Sequence, residues 1–237
     1  MKRRMIVALD TDSPATALSF VEDLAGEAGM FKVGMELFPR GGPDLVRRIR
    51  ETGADVFLDL KFHDIPNTVA GAVRSAVALG VRFATVHASG GRQMLASAAE
   101  AARGTATTIL AVTVLTSLDE TDLSEIGFSP PPADLAGRLA GMALQEGIEG
   151  IVCSAREVAT IRKLAGETAV LVTPGVRLPE NAVGDQKRVV TPYDAIRNGA
   201  DYLVIGRPIT KAEDPVAAAR NVVAEMTRGK EAALREA

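Results

Sequence analysis

Short apolar runs recur along the chain, and most lead into a stretch whose apolar residues return at helical spacing. Met5-Ile6-Val7-Ala8-Leu9 is the first such run, and it ends in Asp10. Ser13-Pro14 then opens a helix with apolar residues at Ala17, Phe20, Val21 and Leu24. Serine is a favoured N-cap, and proline suits the first helical position. Phe31 to Met35 reads as a second strand carrying Lys32, with a helix from about Pro43 to Glu51 after it. The third strand begins at Asp55 and runs through Val56-Phe57-Leu58-Asp59-Leu60-Lys61. Pro66 then starts a helix rich in Ala and Val that reaches Leu79. Further strands are expected at Phe83–Ala88, Thr108–Leu115, Gly150–Ser154, Ala169–Val176 and Asp201–Pro208. Helices are expected after Gly90-Gly91 to about Arg103, near Asp134–Glu146, at Ala155–Leu164 and from Pro215 to Met226. The charged tail beyond Arg228 is expected to fray.

The pattern is eight strands alternating with helices. Apolar strands without clean alternation suit a parallel sheet covered on both faces. Eight βα units in one chain of 237 residues match a (β/α)8 TIM barrel. The α/β class and a single barrel domain over residues 1–237 are therefore expected. No Pro/Gly/Ser-rich linker divides the chain. A doubly wound sheet is the alternative, but no Gly-x-Gly-x-x-Gly follows the first strand.

Composition narrows the function classes. The chain is 47% hydrophobic and 24% charged, with a net charge of -3. That balance, without a dominant Lys/Arg cluster, argues against a nucleic-acid partner. Cys153 is the only cysteine, so no internal disulfide can form. One cysteine and two histidines give little material for a zinc site. Met1-Lys2-Arg3-Arg4 is basic, but the apolar run after it is too short for a signal peptide. No run reaches membrane-spanning length. The expected compartment is the cytoplasm.

Charge collects at the predicted strand ends. Asp10, Lys32, Asp59 with Lys61, His87, Thr116 with Ser117, and Gly206-Arg207 all fall there. In a TIM barrel those C-terminal ends carry the active site. Strand periodicity points Asp59 and Lys61 to the same side, and His63, inside the motif, reads as a supporting or surface residue. Lysines and aspartates held together favour one another's charged forms and create a fixed polar field. Such a field suits a reaction that develops negative charge beside a cation. The long polar segment from Arg177 through Asp185-Gln186-Lys187-Arg188 to Pro192 reads as a lid. Arg207 stands where barrels often hold phosphate.

Asp59-Leu60-Lys61-Phe62-His63-Asp64-Ile65-Pro66-Asn67-Thr68 resembles the signature of the orotidine 5′-phosphate decarboxylases in their bacterial form. Ala8-Leu9-Asp10, Lys32-Val33-Gly34, Val112 to Ser117, Thr173-Pro174-Gly175-Val176-Arg177, Asp185-Gln186 and Ile205-Gly206-Arg207-Pro208 match as well, in order and over nearly the whole chain. No residue expected to be functional departs from the pattern. The resemblance implies cofactor-free decarboxylation of orotidine 5′-monophosphate to UMP and CO₂. It implies that Lys61 protonates C6, that Asp59 sits beside the substrate carboxylate, and that Lys32 completes the charge line. It also implies a homodimer in which Asp64, with Ile65 and Thr68, serves the neighbouring subunit's site. Asp10 with Lys32 would meet the ribose, and Thr116 and Ser117 the base. Gln186, Arg207 and the Gly206 backbone would meet the phosphate, with Arg177 anchoring the lid. Leu60, Phe62, His63, Pro66, Asn67 and Pro174 complete the expected substrate-contacting set. No metal and no cofactor are expected.

Two other readings share part of this pattern. Related barrel enzymes acting on sugar phosphates with magnesium keep Asp-x-Lys-x-x-Asp but should lack Ile-Pro-Asn-Thr after it. A catalytically silent nucleotide binder would keep the fold, but every expected charged residue is present here.

Overall fold

The apolar runs pair in parallel, each with its neighbour in sequence, and the last pairs with the first to close a barrel. The structure, a computed structural model, describes residues 1–129, 131–176 and 190–236. The strands are β1 (Met5–Ala8), β2 (Met30–Gly34), β3 (Asp55–Phe62), β4 (Phe83–His87), β5 (Thr108–Val112), β6 (Gly150–Val152), β7 (Val170–Pro174) and β8 (Tyr202–Ile205). Around them run α1 (Pro14–Asp23), α2 (Phe38–Glu51), α3 (Pro66–Ala78), α4 (Arg92–Ala102), α5 (Glu120–Glu125) and α6 (Pro132–Gln145). The remainder are α7 (Val158–Ala165), α8 (Pro192–Arg197), α9 (Arg207–Thr210) and α10 (Pro215–Glu236). This is the (β/α)8 TIM barrel that the alternation of runs implies.

Two apolar layers hold it. Ile6, Ala8, Met30, Phe57, Phe83, Leu110, Val172 and Val204 fill the barrel interior. Phe83 packs edge-on against Phe57 at 6.0 Å and against Tyr202 at 5.0 Å. The alternate strand residues, among them Val7, Phe31, Leu58, Ala84, Ala111, Ile151, Leu171 and Ile205, face the helices in the larger core. Both faces of each strand are thus buried, which explains why the sequence shows apolar runs and not alternation. The polar exceptions at the strand ends are thereby left at the barrel mouth.

Local signals behave as their chemistry demands. Ser13 caps α1, its Oγ accepting from the Thr16 N–H at 3.2 Å. Gly42, at φ 54°, interrupts α2 immediately before Pro43, where the helix proper starts. Arg162 on α7 donates to the carbonyls of Gly199 and Ala169 and to the Asp201 carboxylate, tying that helix to the base of β7 and β8.

Three expectations are corrected. The tail beyond Arg228 does not fray, because α10 continues to Glu236. Gly229 permits this: a Cβ there would lie 3.1 Å from the Tyr193 carbonyl carbon and Cα, so its absence lets α10 lie against α8. The loop before Pro131-Pro132 contains α5, held by a reciprocal capping box between Asp119 and Asp122. The third is an omission: no element is expected between Pro192 and β8, and α8 begins at Pro192 with Thr191 as its cap. No helix among the described residues is long and apolar enough to cross a membrane.

Candidate active site

The mouth of the barrel carries an unbroken line of alternating charge. Lys32, on β2, reaches Asp10 Oδ1 at 2.9 Å and Asp59 Oδ2 at 3.8 Å. Lys61 Nζ reaches Asp59 Oδ1 at 2.8 Å. The side chains of Lys32, Asp59 and Lys61 are 12%, 14% and 25% exposed, whereas that of Asp10 is 57% exposed. The three inner groups are therefore partly shielded from water, which strengthens their mutual attraction. Asp59 is the node, with a lysine at each oxygen.

Lys61 comes to Asp59 by a different route from simple strand alternation. Between Leu58 and Phe62, four steps along β3 oppose only two along β4, where Leu58 pairs Ala84 and Phe62 pairs Val86. Inside this bulge Lys61 has φ 49°, the only described non-glycine residue in the left-handed region. A non-glycine residue held in that region costs on the order of 1–3 kcal/mol, and such strain gathers at functional sites. Thr85 supports the bulge: its Oγ1 accepts from the Lys61 N–H at 2.8 Å and donates to Asp59 Oδ1 at 3.1 Å.

His63 is exposed, as a surface residue of the motif would be, and with Lys61 it lines a pocket of about 340 Å³ that also takes in Leu60, Phe62, Asp64 and Thr68. The His63 ring stacks on His87 at 5.5 Å and 22°. Burial holds His87 below the ordinary histidine range, with the charges of His63 and Lys61 acting the same way. The Ser89 N–H donates to His87 Nδ1 at 3.3 Å, so the neutral ring carries its proton on Nε2.

A larger cavity of about 1340 Å³ opens on the other side of the charge line. Asp10, Lys32, Thr116, Ser117, Pro174, Gly206 and Arg207 line it, bringing these sequence-predicted residues together. Asp59 joins the two spaces through its contacts with Lys32 and Lys61. Asp64 stands apart from that line: its Oδ1 accepts from the Ile65 N–H at 2.6 Å, and the side chain is exposed. Ile65, Pro66 and Asn67 line neither space, although Ile65 is exposed beside them. Arg177 and Gln186, together with the rest of the proposed lid at 177–189, lie outside the described residues.

Sequence reasoning missed several groups. Thr85 was legible only as an inward strand position between Phe83 and His87. Glu157 and Lys211 also line the large cavity. Burial raises the Glu157 carboxyl above its usual range, although the Ser154 N–H donates to its Oε2 at 3.0 Å. No local pattern distinguishes either residue from a solvated helix charge.

A parallel barrel with an alternating Asp–Lys line at its C-terminal strand ends defines a class of barrel sites built to handle charge. Comparisons with known proteins give the family. The chain belongs to the orotidine 5′-phosphate decarboxylase / HUMPS family, whose profile matches residues 3–222. It is 50% identical over 232 residues to the orotidine 5′-phosphate decarboxylase of Syntrophotalea carbinolica, covering 95% of both chains. It is 51% identical over 233 residues to that of Moorella thermoacetica, covering 95% of this chain and 92% of the relative. The crystal structure of orotidine 5′-phosphate decarboxylase from Lactobacillus acidophilus superposes with a TM-score of 0.83 at 38% identity, covering 94% of this chain and 99% of that one.

Proposed function

We propose that residues 1–237 form one catalytic domain that converts orotidine 5′-monophosphate to UMP and CO₂ without a metal or cofactor, the last step of pyrimidine nucleotide synthesis. The observation that carries this reading is the Asp10–Lys32–Asp59–Lys61 line, with contacts of 2.9, 3.8 and 2.8 Å, in a chain of this family. The C6–carboxylate bond breaks, its electron pair stays on C6, and the Lys61 ammonium delivers the proton that completes UMP. No electron sink is needed if the developing charge lies beside a preorganised ammonium. Asp59 holds that ammonium in place through the 2.8 Å contact.

The large cavity suits the rest of the nucleotide. Asp10 and Lys32 stand where ribose hydroxyls would meet them, and Thr116 and Ser117 face the base. Arg207, with the Gly206 backbone and Gln186, takes the phosphate, and Arg177 anchors the closing lid. Phosphate binding far from C6 then supplies closure energy for the chemistry. Asp64 does not reach Lys61 within one chain. In the proposed cytoplasmic homodimer it crosses, with Ile65 and Thr68, to the partner's site. The exposed Ile65 beside it supports such a contact.

The test is to incubate the purified protein with orotidine 5′-monophosphate and a chelator, following loss of substrate absorbance and appearance of UMP, with Lys61→Ala in parallel. Metal-independent turnover that collapses in the variant is expected. An inactive wild-type enzyme overturns the reading, and sugar phosphates with magnesium become the next substrates to try.

A further inference from the structure

We infer that Thr85 is a positioning residue that sets the reactive geometry of Lys61 and Asp59 together; the inference deepens the decarboxylase reading and rests on it. Thr85 lies on β4 and is wholly buried, at 0% exposure. A hydroxyl offers one donor and two acceptor positions, and this one uses both capacities on the site. It accepts from the Lys61 backbone N–H at 2.8 Å and donates to Asp59 Oδ1 at 3.1 Å. The same Oδ1 takes the Lys61 ammonium at 2.8 Å. The contacts close a ring: Lys61 backbone to Thr85, Thr85 to Asp59, Asp59 to the Lys61 side chain.

The ring answers a structural need. Lys61 sits at φ 49° in a stretch where the β3–β4 register slips, so ladder pairing does not fix its backbone. Strained conformations persist only where the surroundings over-determine them. Thr85 supplies that determination from the opposite strand. The branched Thr side chain restricts its own χ1, so the hydroxyl is held in place and not merely present. An ordinary buried hydroxyl needs only one partner. This one has two, and both belong to the charge line.

Thr85→Val keeps the shape and deletes the hydroxyl, while Thr85→Ser keeps the hydroxyl. Steady-state turnover of orotidine 5′-monophosphate is measured for the wild-type enzyme and both variants, and crystal structures are solved for all three. Misplacing a reacting group by about 1 Å costs about a hundredfold in rate, so Thr85→Val is expected to lose that factor in kcat with KM within about threefold, and Thr85→Ser to recover most of it. In the Thr85→Val crystal, Lys61 is expected to leave the left-handed region or its ammonium to leave Asp59. A Thr85→Val enzyme with near wild-type kcat overturns the inference. So does an unmoved Lys61, or a Thr85→Ser enzyme that folds yet is as impaired as Thr85→Val. Should Thr85→Val fail to fold, Thr85→Ser decides by the same two readouts. An inactive wild type overturns the decarboxylase reading alone, because the crystal structures still read Lys61 without turnover.

Discussion

Replacing Lys61 by glycine and by alanine separates backbone strain from chemistry. Both changes delete the ammonium and leave Asp59 with Lys32 and Thr85 as partners, so the difference between the two variants belongs to the backbone. At φ 49° an alanine Cβ crowds its own carbonyl, at a cost of about 1–2 kcal/mol, whereas glycine adopts this conformation freely. Glycine gives back about 0.5–1 kcal/mol through the greater freedom of its unfolded chain. The balance leaves Lys61→Gly more stable than Lys61→Ala by about 0.5–1 kcal/mol. That is opposite in sign to ordinary positions, where alanine in place of glycine stabilises by about 0.4–1 kcal/mol. For a chain of this size the gap corresponds to about 1–4 °C in Tm. Urea and thermal unfolding of both variants measure it. Lys163, exposed on α7, is the internal control, and there the alanine variant should be the more stable by about 1 kcal/mol. A Lys61→Ala protein as stable as Lys61→Gly, or more so, would refute the claim that this backbone is strained.

Two further outcomes follow from other parts of the molecule. Cys153 is buried, and burial pushes its thiol up to about 12, so at pH 8 it should resist Ellman's reagent in the native protein. It should then release one equivalent on denaturation, since it is the only cysteine; rapid native labelling would contradict the packing around it. Gly229→Ala should lower stability by about 1–2 kcal/mol although alanine is the better helix former, because the overpacking cost exceeds the propensity gain. An unchanged or higher Tm would show that α10 does not approach the Tyr193 carbonyl as closely as the 3.1 Å contacts of a Cβ require.

What the sequence disclosed and what it hid divide along physical lines. The strands were legible because strands buried on both faces leave uninterrupted apolar runs, as in Met5–Ala8 and Thr108–Val112. The charged strand ends stand out against those runs, so Asp10, Lys32, Asp59 and Lys61 group together on the sequence alone. Helices whose reason is tertiary or capping were missed. The tail beyond Arg228 looks like a charged terminus, yet Gly229 within it lets α10 approach α8. The α5 signal was an Asp119–Asp122 capping box inside a polar stretch that otherwise reads as loop. The register slip in β3 was hidden for a third reason: nothing in the residues Leu58 to Phe62 announces it. Thr85 could not be assigned a role from β4 alone, because both of its partners lie on β3.

The slip has a consequence for how the charges are arranged. Asp10, Lys32, Asp59 and Lys61 sum to no net charge, so the group can be partly desolvated without an unpaired ion. Within it the anchoring is uneven. Asp59 takes the Lys61 ammonium, the Thr85 hydroxyl and, at longer range, the Lys32 ammonium. Asp10 takes only the Lys32 ammonium among the described contacts and is 57% exposed. The first carboxylate is fixed and the second is free to exchange its partners. A strand in perfect register would carry Lys61 on the same ladder as Asp59, with no backbone N–H left over to tether. The bulge leaves that N–H to Thr85, whose hydroxyl also reaches Asp59, so the strained residue and the node share one tether. If the Lys61→Gly and Lys61→Ala proteins differ in the expected sense while Thr85→Val loses turnover, the strain and the hydroxyl are two halves of one device. If only the stability difference appears, the bulge is a feature of the fold that the chemistry does not use.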